Sequence, residues 1–191
     1  MLIFLIVLAV VVGGYIVSVY NKLSQSKVRI GASIQEIGNQ LKRQAELIPN
    51  LSKASEKYLS HEKGIFESLA EARKAVSAAV KSGDSAEMAK AGELSGRALG
   101  GFFAFAENNP EIKASGPIQE LMANLRDSSD KVMYSRRLLI DLTADYNTVL
   151  QVVPSKWVGS LFGFASERGL TTPKEGAHLE VSESELKTPK I

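Results

Sequence analysis

The sequence predicts an all-α protein in which a single N-terminal transmembrane helix continues into an antiparallel, up-down four-helix bundle. Three observations support this prediction: an uncharged apolar run at the N-terminus, apolar residues that then recur with helical spacing, and short turns between long helices. Short turns favour antiparallel neighbours, which is the arrangement of an up-down bundle. No stretch of the chain alternates steadily between apolar and polar residues, so we predict no strands.

The N-terminal segment has the length and composition of a membrane span. No charged residue occurs from Leu2 to Val19, and a helix of this length extends about 28 Å, close to the thickness of a bilayer's hydrocarbon core. The alternative is a cleaved signal peptide, but no basic residue precedes the run and only Gly13–Gly14 offers a weak cleavage site. We therefore predict a permanent transmembrane helix over residues 1–20.

The charges that flank the span predict its orientation. Lys22, Lys27 and Arg29 follow the apolar run, and no acidic residue opposes them before Glu36. The excess of basic residues on this side places the following domain in the cytoplasm, by the positive-inside rule. The lipid bilayer is thus the first predicted partner.

Residues 21–154 are predicted to form the bundle. The first helix covers 21–48 and ends where Pro49 begins the second, because proline is tolerated in the first turn of a helix. The second helix ends at the Lys81–Asp84 turn, the third at Asn108–Pro110, and the fourth covers 117–153. The fourth helix has the clearest heptad repeat, typical of coiled-coil packing, through Ile118, Leu125, Val132, Leu139, Tyr146 and Val153.

The segment after the fourth helix has the composition of an interfacial membrane anchor. The fourth helix exceeds the first by nine residues (37 against 28), which carries its end to the bilayer surface. Residues 155–168 then place Trp157, Leu161 and Phe162 on one helical face beside Lys156, as in helices that lie in the membrane interface. The alternative is that this segment folds back and caps the open apolar end of the bundle. The polar tail, 169–191, is predicted to be disordered.

Composition excludes several kinds of chemistry. The formal net charge is only +2, too even a balance for the basic face of a nucleic-acid-binding protein. The chain has no Cys and only two His, so we predict no disulfide, no metal site and no cofactor. His61 and Glu62 resemble an acid–base pair, but adjacent helical side chains point about 100° apart. We predict that His61 is a packed histidine and that the chain has no catalytic site; a hydrolase using this pair is the lesser alternative.

Two surfaces are predicted to contact proteins. In an up-down bundle, the turn at Ile48–Pro49–Asn50 and the loop with Glu111 and Lys113 meet at the end farthest from the membrane, where we predict a docking tip. The third helix carries glycines spaced by four beside large apolar residues, a pattern of close helix packing or of a homo-oligomer contact. This predicted face consists of Gly92, Gly96, Gly100, Leu99 and Phe103.

A series of short motifs follows the span in a fixed order: Tyr20–Leu23, Gln40–Leu51, His61–Glu62, Glu107–Ala114, Arg136–Arg137, Tyr146–Asn147 and Val153–Pro154. This order resembles the LemA family of bacterial membrane-anchored helical proteins over roughly residues 15–165. Its most specific part is the Leu-Ile-Pro-Asn-Leu segment, 47–51. The resemblance implies one span, a helical bundle and a place in the bacterial inner membrane, and it supplies no activity.

The function predicted from the sequence is that of a membrane-tethered, non-enzymatic scaffold or adaptor. It would present the ends of its helices to a protein partner that the sequence does not identify. The alternative is a regulatory subunit of a membrane protease or transporter, which differs from a scaffold only in the identity of the partner.

Overall fold

The computed structural model describes residues 1–59 and 62–170, and within these ranges the chain is helical with no strand. The all-α prediction is confirmed. The elements are α1 (Leu2–Leu59), α2 (Lys63–Ser82), α3 (Ser85–Glu107), α4 (Pro110–Lys113), α5 (Gly116–Gln151) and α6 (Ser155–Leu161).

α1 is one helix of 58 residues that joins the apolar N-terminus to the packed helices without a break. It passes through Pro49, so the predicted turn at Ile48–Pro49–Asn50 is wrong. Proline removes one backbone hydrogen bond within a helix, but here Ile48 and Leu51 on either side of it are both buried. The same buried stripe continues to Leu59, and tertiary packing therefore outweighs the local preference of proline.

The junction between α2 and α3 follows the sequence prediction closely. α2 ends at Gly83, whose φ of 73° is the left-handed conformation that glycine adopts without strain. Asp84 then caps α3, because its carboxylate accepts a hydrogen bond of 2.8 Å from the backbone N–H of Glu87.

The loop between α3 and α5 contains the short helix α4, which the sequence analysis missed. The Asn109 side chain caps it by accepting hydrogen bonds from the backbone N–H groups of Glu111 and Ile112. Ile112 is fully buried and ties the loop to the core. α5 differs from the predicted fourth helix by one residue at its start and two at its end.

Two groups of buried residues form the core. We call the group that reaches α6 the α6-end core; it includes Leu23, Leu41, Leu139, Tyr146 and Val158. The group that reaches α4 is the α4-end core, and it includes Ile48, Leu69, Phe102, Ile112 and Leu125.

Polar side chains also join α1 to its neighbours. The Gln44 amide accepts a hydrogen bond from Ser95 of α3 (2.8 Å) and donates one to Ser129 of α5 (3.1 Å). Ser33 also donates to the backbone carbonyl of Ser135, at 3.1 Å. These paired groups satisfy buried polar atoms that would otherwise be costly.

Candidate functional site

The apolar N-terminal part of α1 projects beyond the packed helices. Every residue from Leu2 to Val12 is exposed, although the segment consists almost wholly of large apolar side chains. Among the residues that the structure describes, α1 is the helix that is long and apolar enough to cross a membrane.

α6 lies against this apolar segment and against the residues of α1 that follow it, including Tyr20 and Leu23. A cleft of about 500 Å³ separates the two, with Val11, Val12, Tyr15 and Ile16 on one side and Pro154, Trp157, Val158 and Leu161 on the other. Trp157 is 66% exposed and Leu161 is 72% exposed. Phe162 and Lys156 are exposed as well, so the four residues of the predicted anchor all lie at the surface.

The other side of α6 closes the end of the α6-end core. Val158 and Gly159 are buried, and a Cβ on Gly159 would lie only 2.5 Å from Leu150 Cδ2, so a larger residue here would force the end of the Leu150 side chain to move. Tyr20 of α1 packs edge-on against the rings of Phe162 and Phe164, with centroids 5.0 Å and 5.5 Å away. α6 therefore combines features of both alternatives: it covers the core on one side and exposes an apolar face on the other.

The residues after α6 return along α5 as an extended strap, which we define as residues 163–170. The Tyr146 hydroxyl donates to the Ala165 carbonyl at 2.9 Å. The Asn147 amide donates to the Glu167 carbonyl and accepts from the Glu167 N–H, and Lys27 forms an ion pair with the Glu167 carboxylate at 3.3 Å. The strap thus ties the end of the described chain to both α5 and α1.

The strap corrects the predicted start of the tail. Gly169 lies against Thr143, and Leu170 packs on the α6-end core, so the prediction of disorder is wrong for these two residues. The remainder of the predicted tail, 171–191, lies outside the described residues. The apolar residues Phe164 and Leu170 were the sequence signal for this packing.

The predicted docking tip is only partly assembled. Ile48 is buried in the α4-end core, and Pro49 and Asn50 lie within α1, nine or more residues before its end at Leu59. Glu111 and Lys113 are exposed on α4. Pro49 and Asn50 therefore lie more than two helical turns before the end of α1.

The end of α1 takes the place that the sequence analysis assigned to Pro49. Leu59 in the last turn of α1 and Ile112 of α4 belong to the same buried core, which places this turn close to α4. A hydrogen bond to Tyr58 and, less strongly, the charge of Glu111 raise the pKa of Lys57. We call the exposed residues Lys57, Glu111 and Lys113 the distal surface. It lies at the end of the helices opposite α6.

The predicted glycine face of α3 is divided between core and surface. A Cβ on Gly92 would lie 3.5 Å from Val132, and Leu99 is buried, so both residues face the core, as the helix-packing alternative expects. Gly96 and Gly100 are exposed with open space around them. Phe103 is half-buried beneath the Arg126 guanidinium, 4.8 Å from the ring centroid.

Only one member of the candidate acid–base pair lies within the described residues. Glu62 is exposed, and His61 lies outside the described residues. Arg136 is paired with Glu93 at 2.8 Å, a structural ion pair between α5 and α3. No cluster of three or more metal-ligating side chains occurs within residues 1–59 and 62–170.

A family profile described as LemA family matches residues 33–182, more than half of the chain. The chain belongs to the LemA family. The resemblance inferred from the motif order is therefore confirmed, and the matched region of this LemA protein begins after the apolar N-terminal segment. No curated protein matches it.

Proposed function

We propose that this LemA protein is a non-enzymatic scaffold of the bacterial cytoplasmic membrane, which holds a helical bundle at a fixed height and displays its distal surface to a cytoplasmic protein. The observation that carries the proposal is the continuity of α1, which joins the apolar segment to the packed helices with no intervening loop. A single helix transmits the position of the span to the bundle, whereas a flexible linker would let the bundle swing.

In this proposal α1, α2, α3 and α5 form an antiparallel, up-down four-helix bundle. α1 packs on both α2 and α5, and α2 packs on α3. Short connections between consecutive helices, such as Gly83–Asp84, support the same arrangement. Lys22, Lys27 and Arg29 favour a cytoplasmic position for the bundle.

α6 is the second attachment to the bilayer in this proposal. Its exposed face, formed by Trp157, Leu161 and Phe162, continues the exposed apolar surface of α1. Inserting this face into lipid would remove its large apolar side chains from water, which is favourable.

The fluorescence of Trp157 tests this attachment, because it is the only Trp in the chain. In the full chain reconstituted into vesicles, lipids brominated on their acyl chains are expected to quench the emission strongly, because two-thirds of the side chain is exposed. Unquenched emission would contradict the second attachment. A Phe102→Trp, Trp157→Phe variant supplies the control for a buried indole far from the span, and its emission should not be quenched.

The distal surface is the proposed docking site for the protein partner. Replacing Glu111 and Lys113 with alanine is expected to reduce partner recovery at least tenfold in affinity purification from gently solubilised membranes. Both residues are exposed, so the melting temperature should change little. The matched control is the Glu71→Ala, Lys74→Ala variant, which removes one charge of each sign from the exposed surface of α2.

The proteins recovered in the same affinity purification distinguish the proposed scaffold from a regulatory subunit and from a homo-oligomer. Full partner recovery with the Glu111, Lys113 variant, or a clear fall in its stability, would contradict docking at the distal surface. A membrane protease or transporter recovered in stoichiometric amount would identify a regulatory subunit. Self-association alone would indicate a homo-oligomeric scaffold.

A further inference from the structure

The cleft between α1 and α6 is a concave surface with an almost wholly apolar lining. Val12, Ile16, Val158 and Leu161 supply aliphatic walls. The only polar side-chain atoms in the lining are the Tyr15 hydroxyl and the Trp157 indole N–H. Tyr and Trp are the residues that place an apolar body in lipid and a polar edge at the interface.

The position of the cleft along α1 determines what can fill it. The proposed function places this part of α1 in the bilayer, so the cleft opens to lipid. A buried water typically makes about three hydrogen bonds, and the side chains of the lining offer at most two partners, on Tyr15 and Trp157. A hydrocarbon chain has no hydrogen bonds to lose there, and it gains van der Waals contact with both walls.

One basic residue lies on the same face of α1 as the cleft. Lys22 follows Val11 by eleven residues and Tyr15 by seven, and both intervals return a helix to nearly the same face. Eleven residues of helix extend about 17 Å, close to half of the ~30 Å hydrocarbon core. Val11 and Lys22 are thus separated by roughly the thickness of one leaflet.

Lys22 has no carboxylate partner among the described residues, whereas Lys27 is paired with Glu167. Lys22 is exposed, and its long side chain can reach toward the level of the phosphates. An anionic headgroup would provide the missing counter-charge.

We propose that the α1–α6 cleft binds one anionic phospholipid of the cytoplasmic leaflet, with an acyl chain between Val12 and Leu161 and the headgroup at Lys22. This inference rests on the proposed membrane position of α1. The lipid completes the packing between the span and α6, and it makes the second attachment selective for an anionic membrane.

Native mass spectrometry of the full chain tests the proposal. The protein is purified in mild detergent from vesicles of equal parts phosphatidylglycerol and phosphatidylcholine. We expect one phosphatidylglycerol molecule to remain on the native chain. Val12→Phe, which fills the cleft, is expected to lower the lipid-bound fraction at least fivefold.

Val10→Phe is the matched control, because Val10 lies two residues from Val12 and therefore on the opposite side of the helix. It should retain the lipid. Leu161→Ala, which shortens the other wall at a residue that is 72% exposed, should also weaken retention and carries little risk to folding. Equal retention by the Val12→Phe, Val10→Phe and Leu161→Ala variants would overturn the acyl-chain site.

Lys22→Gln tests the headgroup separately. The bound lipid should shift from phosphatidylglycerol toward the composition of the vesicles, and an unchanged preference would overturn the role of Lys22. Alkaline extraction distinguishes this inference from the proposed function. A native chain released from membranes by alkali would overturn the membrane tether itself. A chain that stays in the membrane but holds no lipid would overturn the cleft alone.

Discussion

Replacing Phe102 with alanine is expected to lower the free energy of unfolding of the full chain by about 3–5 kcal/mol. Phe102 has no exposed surface and packs in the α4-end core, with the rings of Phe103 and Phe105 each centred 6.5 Å away. The truncation removes this buried contact and leaves a cavity between α3 and its neighbours. Denaturant unfolding in mild detergent, followed by circular dichroism, measures the loss.

Phe103→Ala is the matched control on the same turn of α3. Phe103 is only half-buried, and its main polar contact is the Arg126 guanidinium over the ring. A cation–π contact near the surface contributes about 0.5–1 kcal/mol, so the Phe103 variant should be clearly the more stable of the two. Equal losses at the two positions would show that Phe102 does not carry the packing of this core.

Local signals were sufficient to predict much of the fold. The end of α2 depends on Gly83 and the start of α3 on the Asp84 side chain, and both effects act within a few residues. The length of α5 follows from a heptad repeat that remains regular from Ile118 to Tyr146. Features of this kind can be read from the sequence because the interacting groups are close along the chain.

The prediction failed where distant contacts decide the structure. Pro49 favours a helix start, but the burial of Ile48 and Leu51 against other helices keeps α1 continuous. The strap depends on hydrogen bonds between Asn147 and Glu167, which are 20 residues apart. Apart from the apolar residues Phe164 and Leu170 in the strap, no local pattern in the sequence indicates these contacts.

For the candidate sites, too, local features were predictable and features that depend on distant contacts were not. The composition of α6 indicated an apolar face with Trp157 and Leu161, and both side chains are exposed. The position of α6 along α1, beside Val11 and Val12, was not predictable, because it depends on how the chain turns at Pro154. In α3, the spacing of the glycines could not distinguish Gly92, which faces the core, from Gly96, which faces open space.

Replacing Tyr146 with alanine is expected to have a comparable effect at the opposite end of the molecule, about 3–5 kcal/mol. Tyr146 is a fully buried side chain of the α6-end core, and its hydroxyl also holds the strap through Ala165. Its loss should both open a cavity and detach the strap from α5. Denaturant unfolding gives the first effect, and faster proteolytic cleavage within residues 163–170 gives the second.

Tyr146→Phe separates the two roles of this side chain. It keeps the ring in the core and removes only the hydrogen bond, so the expected loss is about 1 kcal/mol. Strap cleavage should nevertheless become faster than in the native chain. If Tyr146→Phe lowers the free energy of unfolding as much as Tyr146→Ala does, the ring does not contribute to the core and the proposed packing is wrong.

The native chain and the Tyr146→Phe variant also test the electrostatics of the buried phenol. Burial raises the pKa of Tyr146 above its usual value of 10.0, opposed by the charge of Lys27 and assisted by that of Glu167. Above pH 10 the unfolded chain therefore loses this proton before the folded chain does, and the free energy of unfolding falls as pH rises. Between pH 9 and 11 the native chain should lose more stability than Tyr146→Phe, whose other titrating groups are the same. Parallel pH profiles would mean that the phenol is not desolvated in the folded protein, because only a pKa that differs between the two states makes stability depend on this proton.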